Sequence, residues 1–190
     1  MRYFYSIFET AIGSCGIVWN AHGIAGVEVH RGNESATRAG LLRRFDGAQE
    51  KLPPADVQHA INSIVGLLRG EPRDLSDLTI DVGGVPDFNR KVYAIARTIP
   101  PGSTMSYGEI AERLGDKSLA RDVGQALGQN PIPLIVPCHR VLAAGGKTGG
   151  FSAPGGVASK LRLLTIEGAQ PNKPTLFDHL PLAAKRRPRS

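Results

Sequence analysis

The 190-residue sequence holds only two cysteines, Cys15 and Cys138, too few for a disulfide framework or a four-ligand zinc ribbon. His22 and His30 lie near Cys15, but their spacing matches no common metal motif, so they read as structural and no metal or organic cofactor is expected. No apolar run approaches the ~20 residues that cross a bilayer, and the first residues lack a basic segment followed by an apolar one. The expectation is a cytoplasmic protein with reduced thiols and no membrane partner. Aromatic residues are scarce at 6%, yet 41% hydrophobic and 21% charged residues are ordinary for a globular chain, which excludes the fibrous and disordered classes.

Charge is present but uneven. Residues 1–85 carry 8 basic and 10 acidic side chains, residues 86–180 carry 11 and 7, and residues 181–190 carry 4 basic and no acidic ones. A basic C-terminal side suits a polyanionic partner, because neutralising phosphates and releasing counterions dominates non-specific nucleic-acid affinity. Many proteins are this basic without touching DNA, so the bias names no function by itself. The last stretch, 171–190, has cations and prolines without apolar periodicity and reads as a disordered tail, either solubilising or adding DNA affinity.

The pattern predicts an α/β chain in two parts. Residues 3–9, 15–19 and 24–29 are rich in aromatic and β-branched residues, separated by Gly13-Ser14 and by Asn20 to Gly23; they predict an antiparallel β-meander. Helices over 34–45 and 54–69 and a short strand over 78–82 complete an N-terminal α+β supporting domain, 1–84, in which no catalytic constellation is found. After the Gly83-Gly84 linker comes a mainly helical domain, 85–170. Asp87 is expected to cap a helix over 88–98. Ser106-Tyr107-Gly108-Glu109 is a capping box for a short helix ending at Gly115. Ser118 is expected to cap a second helix over 119–127. Two short helices joined by a tight turn make a helix-turn-helix or a plain helical hairpin. The second helix carries small residues (Ala120, Gly124, Ala126, Gly128) and one long cation in its first turn, Arg121, a surface for close approach rather than for base reading. A final helix, 157–167, has an expected apolar stripe of Val157, Leu161 and Leu164.

The most unusual stretch runs from Asn130 to Val141. Leu134-Ile135-Val136, bounded by prolines, predicts a short buried strand that Pro137 ends, leaving Cys138 where a strand meets a loop. A lone cysteine can be a small buried hydrophobe. It becomes a nucleophile when a neighbouring base or cation stabilises its thiolate, and His139 and Arg140 are immediate candidates. In an extended chain adjacent side chains diverge, so His139 can help Cys138 only through a turn or a water.

The string Pro137-Cys138-His139-Arg140-Val141 resembles the active-site signature of the O6-alkylguanine-DNA alkyltransferases, and landmarks of that family's C-terminal domain follow one another from about Phe88 to Gly168. The resemblance implies DNA repair: irreversible transfer of methyl or small alkyl groups from O6-alkylguanine, and from O4-alkylthymine, in double-stranded DNA to Cys138, one turnover per monomer, with the base flipped from the minor groove. It implies a relay from Cys138 through a water to His139 and on to Glu167. It implies that Asn130 ties the turn to the active-site strand, that Tyr107 donates to the base, that the Val141 carbonyl accepts from its exocyclic amine, and that the Ser152 amide meets O6. Arg121 would fill the gap left in the duplex, with Arg140, Phe151 and Lys160 on the substrate side. Two departures stand out. The loop Gly149 to Gly156 looks about two residues longer than in better-known members, and Phe151 stands where many have tyrosine, so it can stack but not donate. The rival readings are a damage-binding relative that lacks the nucleophile, a helix-turn-helix regulator, and a thiol hydrolase.

Overall fold

A computed structural model describes residues 1–169; the expected tail, 171–190, lies outside the described residues. Three strands, β1 (Phe4–Phe8), β2 (Cys15–Asn20) and β3 (Gly23–Glu28), form the antiparallel meander, and a two-residue strand, β4 (Gln49–Glu50), adds in parallel to β1 to give the order β3-β2-β1-β4. The sheet is covered on both faces, so every residue of β2 is buried. Because side chains alternate across a strand, Cys15, Ile17 and Trp19 face the main core while Val18 faces a smaller cluster with Tyr5 and Leu41. Helix α1 (Glu34–Arg44) supplies Leu41, and helix α2 (Ala55–Leu68) turns Val57, Ile61, Ile64 and Leu67 into the main core.

The expected strand over 78–82 is reduced to one parallel bridge, Ile24 with Ile80. Leu78 and Leu75 are buried by packing instead, and the Asp81 side chain turns to accept from Asn20 and from the Gly83 amide.

Helix α3 (Asp87–Ala96) begins one residue before the expected start. Its N-cap is Pro86, and Asp87 is an acidic first-turn residue paired with Arg90 rather than a cap. Ser106 and Glu109 form the reciprocal capping box of α4 (Tyr107–Arg113). Gly115, at φ +100, ends that helix in the left-handed region open to glycine. Asp116, not Ser118, then caps a 3-10 turn at Lys117–Leu119, accepting the Ser118 amide at 2.8 Å, before α5 (Ala120–Gly128). The N-cap of α5 itself is Leu119, without a side-chain hydrogen bond.

Two short parallel strands, β5 (Met105–Ser106) and β6 (Val141–Leu142), join the start of α4 to the segment after Cys138. Helix α6 (Gly156–Ile166) closes the described chain. Its buried side is Lys160, Leu163 and Leu164; Val157 and Leu161, expected in the stripe, are 40% and 39% exposed. One apolar core runs without a break from β2 and α2 through α3, α4 and α5 to Ile132, Val141 and Leu163. Among the described residues no helix is long and apolar enough to cross a membrane, and no cluster of three His, Cys, Asp or Glu is placed to hold a metal.

Candidate active site

The stretch before Cys138 is a knot of turns, and the sequence accounts for it. Pro131, Pro133 and Pro137 remove three backbone donors, so no sheet ladder can form. Side-chain and turn hydrogen bonds replace it. Asn130 Oδ1 accepts the Ile132 amide at 2.9 Å, and its Nδ2 donates to the Val136 carbonyl at 2.8 Å. The Val136 amide donates back to the Ile132 carbonyl at 2.9 Å. Leu134 takes φ +73, uncommon for a residue with a side chain, and is held there by complete burial. The expected strand at Leu134–Val136 is therefore a tight turn closed by a Pro133–Val136 bridge. The short strand at the site, β6, comes after the cysteine.

Pro137, at φ −81 and ψ 65, occupies an inverse γ-turn in which the Cys138 amide donates to the Val136 carbonyl at 2.8 Å. Cys138–Arg140 then form a single 3-10 turn. That turn is the departure from extended geometry that a Cys-His pairing requires. Cys138 is 8% exposed, His139 is fully buried, and Arg140 is 4% exposed.

Glu167, at the C-cap of α6, organises the cations. Its Oε1 meets His139 Nε2 at 2.8 Å and Arg140 Nη2 at 2.9 Å, and its Oε2 accepts from Arg140 Nε at 2.9 Å. Arg140 Nη1 donates to the Ile99 carbonyl at 2.6 Å. Arg140, expected on the substrate side, thus turns inward as the brace between Glu167 and the turn that follows α3. Burial alone would raise the Glu167 carboxyl, but hydrogen bonds from His139 and Arg140 outweigh it and hold it at about 2. Burial lowers the His139 imidazole despite Glu167, keeping it neutral. Its Nε2 is committed to Glu167, while its Nδ1, also buried, finds no hydrogen-bond partner among the described residues.

Burial pushes the Cys138 thiol up, and hydrogen bonding from Asn130 and the charge of Lys160 work against it. Lys160, expected to open onto the pocket, is completely buried. Its Nζ donates to the Val141 carbonyl at 2.6 Å and lies 5.8 Å from the centre of the Tyr107 ring, and burial lowers it to about 8. The carbonyl expected to receive a guanine amine therefore already accepts one donor and has one lone pair left. Replacing Lys160 by methionine is expected to raise the thiol further and so leave less thiolate at pH 7, slowing its alkylation by iodoacetamide roughly ten-fold. The gap between variant and parent should shrink above pH 8, where Lys160 loses its charge. A stopped-flow pH series checks this.

Cys138 lies at the meeting point of two cavities. The larger, about 600 Å³, is walled by Tyr107, Arg121, Gly124, Phe151 and Ser152; Gly124 faces the Tyr107 ring with room for an added Cβ in ordinary contact at 3.9 Å. Burial raises the Tyr107 phenol, so it stays a donor. Gly149, at φ +64, lets the long loop pass against the same ring, where a Cβ would come within 3.1 Å of Tyr107 Cε2. The smaller cavity, about 240 Å³, reaches Cys138 past Asn130 and Ser152 from the side of Glu28, Arg31 and Arg44. Of these, Glu28 and Arg44 were missed at the level of sequence. The signal was present in Glu28, a charge ending an apolar strand, buried at 2% exposure.

A buried thiol, a histidine fixed by a carboxylate, and a cavity walled by a slim helix with Arg121 in its first turn together define a thiol-centred active site. Residues 87–169 match the family model described as the 6-O-methylguanine DNA methyltransferase, DNA binding domain. The chain is 33% identical over 153 residues to the methylated-DNA--protein-cysteine methyltransferase of Methanothermobacter thermautotrophicus, covering 80% of this chain and 78% of that one. It is 42% identical over 126 residues to the protein of the same name from Mycobacterium bovis, covering 66% and 74%. The crystal structure of Mycobacterium tuberculosis OGT in complex with DNA superposes with a TM-score of 0.69 at 31% identity, over 87% of this chain and 92% of that one. The chain belongs to the methylated-DNA--protein-cysteine methyltransferase family.

Proposed function

We propose that this protein repairs duplex DNA by taking the methyl or small alkyl group from O6 of guanine, and from O4 of thymine, onto Cys138, each molecule acting once. The DNA partner is supported by the likeness to a structure solved in complex with DNA. O6 lies on the pairing edge inside the stack, so the nucleotide must rotate out. The larger cavity is the receiving pocket in this reading, with Phe151 stacking on the base and Arg121 entering the duplex from the minor groove where the base has left. In the reaction the Cys138 thiolate attacks the alkyl carbon. The new S–C bond forms as the C–O bond breaks, and its electron pair passes to the base oxygen. The thiol proton leaves toward His139, and a proton returned to the base, with donation from Tyr107 and the Ser152 amide, restores the neutral guanine. The S-alkylcysteine has no leaving partner, so turnover stops at one. Residues 85–170 carry this chemistry and 1–84 support it.

One observation carries the reading. The buried Nδ1 of His139 has no partner among the described residues while Nε2 is tied to Glu167, so the imidazole has one nitrogen committed to orientation and one open to a proton from the cysteine side. Intact mass spectrometry after mixing with a duplex holding one O6-methylguanine tests it. The expected result is a gain of one methyl, ~14 Da, that stops at one equivalent and maps to Cys138. Tight binding of the lesion with no mass change would leave only a recognition protein.

A further inference from the structure

Besides the shared apolar core, one carbonyl of the active-site turn takes two donors from the N-terminal half of the chain. Pro131 O accepts the Val27 amide from β3 at 3.0 Å and Arg44 Nη2 from the last turn of α1 at 2.6 Å. Arg44 is itself fixed, with Nη1 on the Val27 carbonyl at 3.1 Å and on Glu28 Oε2 at 2.9 Å. Glu28 is pinned from its other oxygen by Arg31, and Gly40 leaves the room for that pair, since a Cβ there would fall 2.4 Å from Arg31 Nε. Pro131 follows Asn130, whose amide holds the Val136 carbonyl that also takes the Cys138 amide. An unbroken chain of hydrogen bonds and one peptide link therefore joins the Arg44 guanidinium to the backbone of Cys138. With three prolines in the turn, few other backbone bonds can hold it.

We propose that Arg44 is a positioning residue for Cys138, fixing the Asn130–Cys138 turn through the Pro131 carbonyl so that the sulfur meets the alkyl carbon in line. The inference rests on the alkyl-transfer reading above. Arg31 supplies the control. It shares Glu28 with Arg44 but does not reach Pro131, so removing either weakens the buried Glu28 pair, while only the loss of Arg44 leaves the Pro131 carbonyl on the Val27 amide alone.

The experiment compares Arg44→Ala, Arg44→Lys and Arg31→Ala with the parent, in the full chain. The single-turnover rate of methyl transfer from an O6-methylguanine duplex, the dissociation constant for the same duplex and the melting temperature are each measured. Arg44→Ala is expected to slow transfer roughly ten-fold or more, because small misplacements of a reacting atom are costly, with the dissociation constant unchanged within about two-fold. Arg44→Lys should recover part of the rate, having one cation but not the forked reach to both Pro131 and Glu28. Arg31→Ala should transfer at the parental rate even where its melting temperature falls as far. Equal rates in Arg44→Ala and the parent would overturn the proposal. So would an Arg31→Ala variant as slow as Arg44→Ala, since the effect would then follow Glu28 and not the turn. If the parent itself transfers no methyl group, it is the functional reading that fails.

Discussion

A Cys138→Ser variant is expected to give no measurable methyl transfer while still binding a duplex that contains O6-methylguanine. The substitution changes little in shape: the side chain stays in the 3-10 turn, and the γ-turn bond from its amide to the Val136 carbonyl does not involve the side chain. What changes is the nucleophile. Burial already pushes the thiol upward, and sulfur tolerates this because a minor thiolate fraction is intrinsically reactive. A hydroxyl ionises far less readily, and a neutral imidazole cannot make up the difference. Gel-shift binding with intact mass spectrometry on the same sample separates the two effects. Transfer by the serine variant that maps to any other residue would show that Cys138 is not the acceptor.

Glu167→Ala should be the most destabilising single change at the site. It leaves Arg140 with only the Ile99 carbonyl and His139 with neither ring nitrogen paired, and breaking a buried charge pair by removing one partner costs about 3–5 kcal/mol. Urea denaturation at pH 7 measures it. The pH dependence has a definite sign. The Glu167 carboxyl stands at about 2 in the folded protein against an ordinary 4.5, so its stabilisation is complete above pH 4.5 and is lost as the pH falls toward 2. The difference between parent and variant should accordingly narrow below pH 4.5. Glu167→Gln should fold better, because an amide can still accept from Arg140, yet transfer slowly. Without the carboxylate the His139 imidazole falls further below its ordinary value and becomes a weaker base. A variant as stable as the parent at pH 7 would mean that Arg140 and His139 need no counter-charge.

Local chemistry was legible in the sequence where it depends on neighbours in the chain. The capping box of Ser106 and Glu109, the stop at Gly115 and the meander needed no distant contact, and the Pro-Cys-His-Arg-Val string pointed to its family directly. The turn at Leu134 was not legible, because an apolar run between prolines has the composition of a buried strand; what decides is Asn130 folding back on Val136, together with a left-handed leucine. Lys160 misled for a related reason. The resemblance put it on the substrate side, whereas the Val141 carbonyl gives its ammonium a buried partner, and the inward lysine shares the buried side of α6 with Leu163 and Leu164 while Val157 and Leu161 stay partly exposed. Arg140 read as a cation available to substrate, and only tertiary structure brings Glu167 to it. The role of Arg44 depends on a contact 87 residues away in sequence, beyond the reach of any periodicity.

The double-donor Pro131 carbonyl also bears on portability. The segment that matches the family model, 87–169, contains Cys138, His139, Glu167 and Asn130, and looks like a cassette that could be moved to another scaffold. Cut there, it would keep every reacting atom and lose both donors to Pro131, together with the β2 and α2 side chains that share its core. Rejoining those partners from a separate chain would turn an intramolecular closure, costing on the order of (3/2)RT ln n, or about 4 kcal/mol for this loop, into a bimolecular encounter that depends on concentration. An engineer shortening this protein should trim elsewhere and keep Val27 and Arg44 on the same chain as the cysteine.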